Sequence, residues 1–101
     1  MRETGRQGYK LKLIEKLEAR FPGIMVLTQD PITHPGVPDL VLLYFDRWAA
    51  LEVKASKNSS VQPRPRQPFY VEKMNQMSYA AFIYPENEED VLNELQRAFN
   101  Y

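Results

Sequence analysis

Three residues in the middle of the chain, Asp39, Glu52 and Lys54, have the types and the spacing for ionic chemistry. Two runs rich in β-forming residues, Leu40 to Phe45 and Trp48 to Ala55, flank Asp46-Arg47, which predicts a tight antiparallel hairpin with a two-residue loop. Counting outward from a Phe45–Trp48 pair places Asp39 opposite Lys54 and Val41 opposite Glu52, so both acids and the amine share one face; a one-residue slip would separate the acids. Directly opposite Cβ atoms lie about 5 Å apart and diagonal ones about 7–8 Å, close enough for two carboxylates to converge on one ion. The same face otherwise carries Val41, Leu43, Phe45, Trp48 and Ala50, where dehydrated like charges cost roughly several kcal/mol unless something compensates them. A hard divalent cation with oxygen ligands is the natural compensator, and Lys54 stands beside it as a point charge.

The rest of the chain reads as the frame for that hairpin. Residues 7–21 carry Leu11, Ile14, Leu17 and Phe21 at helical spacing, with Leu13 widening the stripe, and Pro22-Gly23 ends the segment. Ile24 to Leu27 is of strand length, and the Pro-rich stretch from Gln29 to Pro38 is a loop. On the hairpin, Leu40, Leu42, Tyr44, Ala49, Leu51 and Val53 form the core face. The composition of Asn58 to Pro68 predicts an exposed mobile loop, residues 69–78 a helix with Phe69, Met74 and Met77 on its apolar face, and Tyr79 to Tyr84 a fourth strand. A last helix carries Val91, Leu92, Leu95, Ala98 and Phe99 in one stripe, with Asn87 as N-cap and its acidic start matched to the helix dipole. This order of elements gives an α/β fold, a mixed sheet flanked by helices.

Composition bounds the possibilities. The 101 residues give room for one domain, spanning 1–101, in which most apolar positions are needed for packing. The absence of cysteine excludes thiolate metal sites and disulfides. The longest apolar run, Leu40 to Phe45, is too short to span a bilayer and no leader-like segment opens the chain, so a soluble cytoplasmic protein with no membrane partner is expected. Thirteen basic residues balance thirteen acidic ones, which counts mildly against nucleic-acid binding, yet the charges are unevenly placed. Arg2, Arg6, Lys10 and Lys12 crowd the start, and Lys54, Lys57, Arg64 and Arg66 the middle. Glu86, Glu88, Glu89 and Asp90 collect near the end. Arg6, Lys10, Lys57, Arg64 and Arg66 are the candidate contacts to nucleic-acid phosphates, the last three as a salt-sensitive arm, against the default reading of a solvated loop.

Gly36-Val37-Pro38-Asp39, followed after a short turn by Leu51-Glu52-Val53-Lys54, resembles the motif of the PD-(D/E)XK nuclease superfamily, in particular its small VRR-NUC branch of viral and bacterial stand-alone nucleases. The resemblance extends over nearly the whole chain, taking in an acid near the N-terminus, a Gln before the middle helix, and the closing strand and helix. It implies a restriction-endonuclease-like sheet of about four strands flanked by helices. It also implies a Mg²⁺- or Mn²⁺-dependent endonuclease acting on branched, flapped or junction DNA, working as a homodimer in a bacterial or virus-infected cell. By position, Asp39 and Glu52 would be the metal-binding carboxylates, the Val53 carbonyl a further ligand, and Lys54 the group that orients or activates the attacking water. Glu3 matches the N-terminal acid and would reach the metal directly or through water, with Glu15 and Glu18 as rivals for that role; Gln67 matches the helix-leading Gln.

Plainer readings stand beside these. Asp39 could cap a strand while Glu52 and Lys54 form an edge pair; Glu3 could be a solvated terminal residue, and Gln67 a helix cap. Residue His34 suits an exposed turn, and Tyr70, Tyr79 and Tyr84 suit packing rather than base stacking. The rival functions are a non-catalytic nucleic-acid-binding accessory domain of the same fold and a sequence-specific restriction-type enzyme. Two converging acids argue against the first and the short chain against the second.

Overall fold

The first helix, α1 (Gly5–Arg20), forms where Leu13, Leu17 and Phe21 recur at four-residue spacing, and all three are fully buried in the computed structural model. That model describes residues 5–29, 36–57 and 67–100, with the side chain of Gln67 outside them. The expected stripe is therefore shifted: Leu13 lies on its centre and Leu11 on its exposed margin. After Pro22, Gly23 takes φ +92°, a left-handed conformation that suits glycine, and the chain turns into the sheet.

Four strands follow in the spatial order β1 (Met25–Thr28), β2 (Leu40–Tyr44), β3 (Arg47–Val53), β4 (Tyr79–Ile83). β1–β2 and β2–β3 are antiparallel, whereas β3–β4 is parallel and joined by a crossover that contains α2 (Gln67–Met77). A 3₁₀ turn (Pro85–Asn87) leads into α3 (Glu88–Phe99). The result is a three-layer α/β arrangement. On one face, α1 and α3 pack Leu13, Leu17, Phe21, Val91, Leu92, Leu95 and Phe99 against the core face of the sheet, and the six hairpin residues assigned to it are all buried there. On the other face, Val71 and Met74 of α2 pack with Ala50, Ala80, Trp48 and Phe82.

Three local readings are corrected. The hairpin loop is Phe45-Asp46 rather than Asp46-Arg47: Tyr44 pairs with Arg47 and Leu43 with Trp48. Phe45 consequently takes φ +56° and is 73% exposed, a conformation costing about 1–2 kcal/mol for a residue with a Cβ. On α2, Phe69 and Met77 face outward and Val71 with Met74 faces the sheet, because α2 sits over the two alanines of β3 and β4. Asn87 stands at the N-cap of α3 but does not cap it; its side chain accepts from the Tyr84 N–H (2.9 Å) and donates to the Phe82 carbonyl (3.0 Å), closing the end of β4 instead.

The acidic cluster at the start of α3 holds both α1 and the chain that follows β3. Glu88 accepts from the Tyr9 hydroxyl (2.9 Å) and Lys16 Nζ (2.7 Å), Glu89 lies 3.5 Å from Arg20, and Glu86 accepts the Lys57 N–H (3.0 Å). Burial and the Glu88 hydrogen bond hold the Tyr9 hydroxyl far above its ordinary titration range. Among the described residues no helix is long and apolar enough to cross a membrane.

Candidate active site

The hairpin register decides where the charged residues meet. Continuing the Leu40–Leu51 pairing by one step sets Asp39 opposite Glu52 rather than opposite Lys54. The displacement is two residues, so side-chain parity survives, and the two acids become direct cross-strand neighbours with Lys54 one diagonal away. Gly36, at φ +97°, and the buried Pro38 bring the chain into β2 at Asp39. The Asp39 carbonyl then accepts the Gln29 N–H (2.9 Å), prolonging the β1–β2 ladder.

Beyond the last paired residues, carboxylates replace backbone groups. Asp39 donates its N–H to Glu52 Oε1 (3.2 Å), and Asp39 Oδ2 accepts the Val53 N–H (3.0 Å). Each acid thus uses one oxygen to finish the ladder, as the strand-capping reading anticipates for Asp39. Their other oxygens meet a common cation, Arg6 from the first turn of α1. Its Nη2 binds Asp39 Oδ1 and lies 4.0 Å from Glu52 Oε2, and its Nε donates to the Val53 carbonyl oxygen at 2.9 Å.

Glu52 is 2% exposed and is the buried charged residue among those described. Burial first, and the neighbouring Asp39 charge second, push its carboxyl up to about 7, against the opposing pull of Lys54 and Arg6. The Lys54 ammonium lies 3.9 Å from Glu52 Oε2 and 5.6 Å from the centre of the Phe82 ring, a cation–π contact. The Lys54 N–H donates to the Ile83 carbonyl (2.9 Å), so the end of β3 is fixed against β4 just where these side chains diverge from the strand.

The structure therefore brings together Asp39, Glu52, Val53 and Lys54, and adds Arg6, which sequence reasoning placed among the phosphate contacts rather than on the acids. The signal that could have found it is weak: one arginine among four basic residues near the N-terminus, with nothing in the spacing to pair it with a hairpin. Lys10, one turn after Arg6, is half-buried, and Lys57 is exposed just beyond Lys54. Glu15 and Glu18 are exposed. Glu15 stands nine residues along α1 from Arg6, roughly 13 Å at the helical rise, so neither acid is brought to the site. Glu3, His34, Arg64 and Arg66 lie outside the described residues, as does the side chain of Gln67, whose backbone opens α2.

Asp39 Oδ1, Glu52 Oε2 and the Val53 carbonyl form a donor set of hard oxygens. That chemistry suits Mg²⁺ or Mn²⁺, which take few protein ligands and complete their shell with water. Among the described residues no group of three or more His, Cys, Asp or Glu side chains is arranged to hold an ion, so the set has two carboxylates and one backbone oxygen.

No family model matches the chain, and no curated protein or solved structure matches it either.

Proposed function

We propose that the protein is a divalent-metal-dependent nuclease that hydrolyses DNA phosphodiesters, with Asp39, Glu52 and the Val53 carbonyl as metal ligands and Lys54 at the reacting phosphate. The observation that carries this reading is the convergence of two carboxylate oxygens and a carbonyl oxygen at the end of β3, with one of the acids buried. A purely structural strand end needs neither a second acid nor its burial.

When bound, a divalent cation supplies Lewis-acid polarisation of a phosphoryl oxygen and an acidified water. The chain's own groups do the rest. The Val53 N–H fixes the Asp39 carboxylate and the Asp39 N–H fixes that of Glu52, so both arrive oriented with little rotamer freedom to lose. Lys54, steadied by Glu52 and the Phe82 ring, holds a positive charge beside the phosphate and offsets the negative charge that develops as water adds and the ester P–O bond breaks. Lys10 and Lys57, with Arg64 and Arg66, are the proposed backbone-phosphate contacts, and Glu3 and Gln67 the proposed outer members of the site. By resemblance the fold would be restriction-endonuclease-like, the substrate branched, flapped or junction DNA, and the active species a homodimer presenting two sites.

The test is a nicking assay on labelled four-way junction, flap, single-stranded and linear duplex substrates with Mg²⁺, Mn²⁺ or chelator. Metal-dependent cleavage is expected, reduced at least a hundredfold by Asp39→Asn and by Lys54→Ala, with both variants folded by circular dichroism. Full nicking in both variants would end the assignment. A second reading, a non-catalytic nucleic-acid-binding domain, draws on one observation: Arg6 already satisfies the two acids from within the chain. Substrate binding with no cleavage under any metal condition would favour it.

A further inference from the structure

Arg6 bonds two of the three oxygens that the proposed metal site would use, Asp39 Oδ1 and the Val53 carbonyl oxygen at 2.9 Å, and stands 4.0 Å from the third, Glu52 Oε2. A divalent cation bound through those oxygens would sit about 2.0–2.6 Å from each. A guanidinium cannot keep its hydrogen bonds to the same oxygens at the same time, because like charges would stand within a few ångströms of each other. Resting on the metal-site reading above, we propose that Arg6 is a built-in counter-cation: it competes with the divalent metal for these three oxygens, and metal binding releases it to grip a substrate phosphate.

Two features make the exchange physically cheap. The Arg6 side chain is 45% exposed although its partner Glu52 is only 3% exposed, so the guanidinium closes the site from the solvent side and can swing outward without unpacking the core. The helix that carries it is held directly after Arg6, at the buried Gly8 and at Tyr9, so only the Arg6 side chain and not the helix has to move. Once displaced, the planar guanidinium remains at the mouth of the site, one turn from Lys10, with the geometry to take two phosphate oxygens together. Metal and nucleic acid would then help each other bind, since a phosphate that holds Arg6 removes the competitor of the metal, and the coupling is reciprocal.

The experiment is Mn²⁺ binding by calorimetry, on the wild type and on Arg6→Met, which keeps the apolar stem but lacks the charge and the donors. The variant is expected to melt at a lower temperature in chelator, to bind Mn²⁺ about tenfold more tightly, and to gain more in melting temperature when Mn²⁺ is added. Equal or weaker affinity in the variant would overturn the competition while leaving the metal site in place. Binding by neither protein would remove the metal site and this inference with it. Wild-type protein provides a second measurement that needs no variant: on titration with diamagnetic Mg²⁺, the ¹⁵N signal of Arg6 Nε should shift and its proton exchange should quicken as the Val53 bond is lost. A saturating Mg²⁺ titration that leaves this signal unmoved would equally overturn the proposal.

Discussion

At the scale of single residues, Glu52 is pulled in opposite directions by its surroundings. Burial and Asp39 favour its neutral form, Lys54 and Arg6 favour the carboxylate, and the balance raises its carboxyl from 4.5 to about 7. Between those two values the folded protein holds a proton that the unfolded chain has released, so the stability of chelator-treated protein should fall as pH rises from about 4.5 to about 7 and level off above. The whole drop amounts to up to about 3 kcal/mol. Glu52→Gln keeps the acceptor for the Asp39 N–H but not the charge, so it should remove the slope and exceed the wild type in stability at pH 8. Urea denaturation across the pH range measures this; a wild-type profile as flat as that of the variant would mean that Glu52 ionises normally. The buried acid is tolerated because the Asp39 N–H, Arg6 and Lys54 supply its donor and its cations from within the chain.

At the scale of elements, the β2–β3 hairpin sets the site. Its loop begins at Phe45, whose positive φ and exposure make it the weakest fit of residue to backbone in that turn. Asparagine tolerates the left-handed region better than phenylalanine, and the change removes an edge contact with the Tyr44 ring at 4.8 Å. Phe45→Asn should therefore raise stability by about 0.5–1 kcal/mol, read as a higher urea midpoint. A lower midpoint would show that the contact with Tyr44 outweighs the backbone strain. The alternation that placed Asp39, Glu52 and Lys54 together depends only on parity, which is why the shifted loop preserved the cluster and drew its two acids closer.

At the scale of the whole molecule, the two helices that share one face of the sheet are joined by charge as well as by the core. Glu88, at the start of α3, takes hydrogen bonds from Tyr9 and Lys16 of α1, and Arg20 reaches Asn93 (2.7 Å) and Gln96 (3.2 Å) further along. Through this contact α3 fixes the orientation of α1, and α1 in turn carries Arg6 to the acids. Glu88→Ala should cost about 1–2 kcal/mol, because it leaves the half-buried Tyr9 hydroxyl without its acceptor. Tyr9→Phe in the same background should cost less than the two single changes added together, since both remove one hydrogen bond. Thermal unfolding of the four proteins measures the coupling; strict additivity would mean that the Tyr9–Glu88 bond contributes nothing.

Local pattern alone determined the helices, the four strands, the core face of the hairpin and the common face of Asp39, Glu52 and Lys54, because periodicity and parity are properties of neighbouring residues. Tertiary structure decided what no neighbour specifies. The loop lies one residue earlier than the pattern predicts, with Tyr44 paired to Arg47 and Phe45 left-handed. Val71 rather than Phe69 faces the sheet because α2 lands over Ala50 and Ala80. Arg6 meets Asp39 across 33 positions of sequence because α1 packs beside the end of β3, and an ion pair between distant segments leaves no periodic trace in the chain that encodes it.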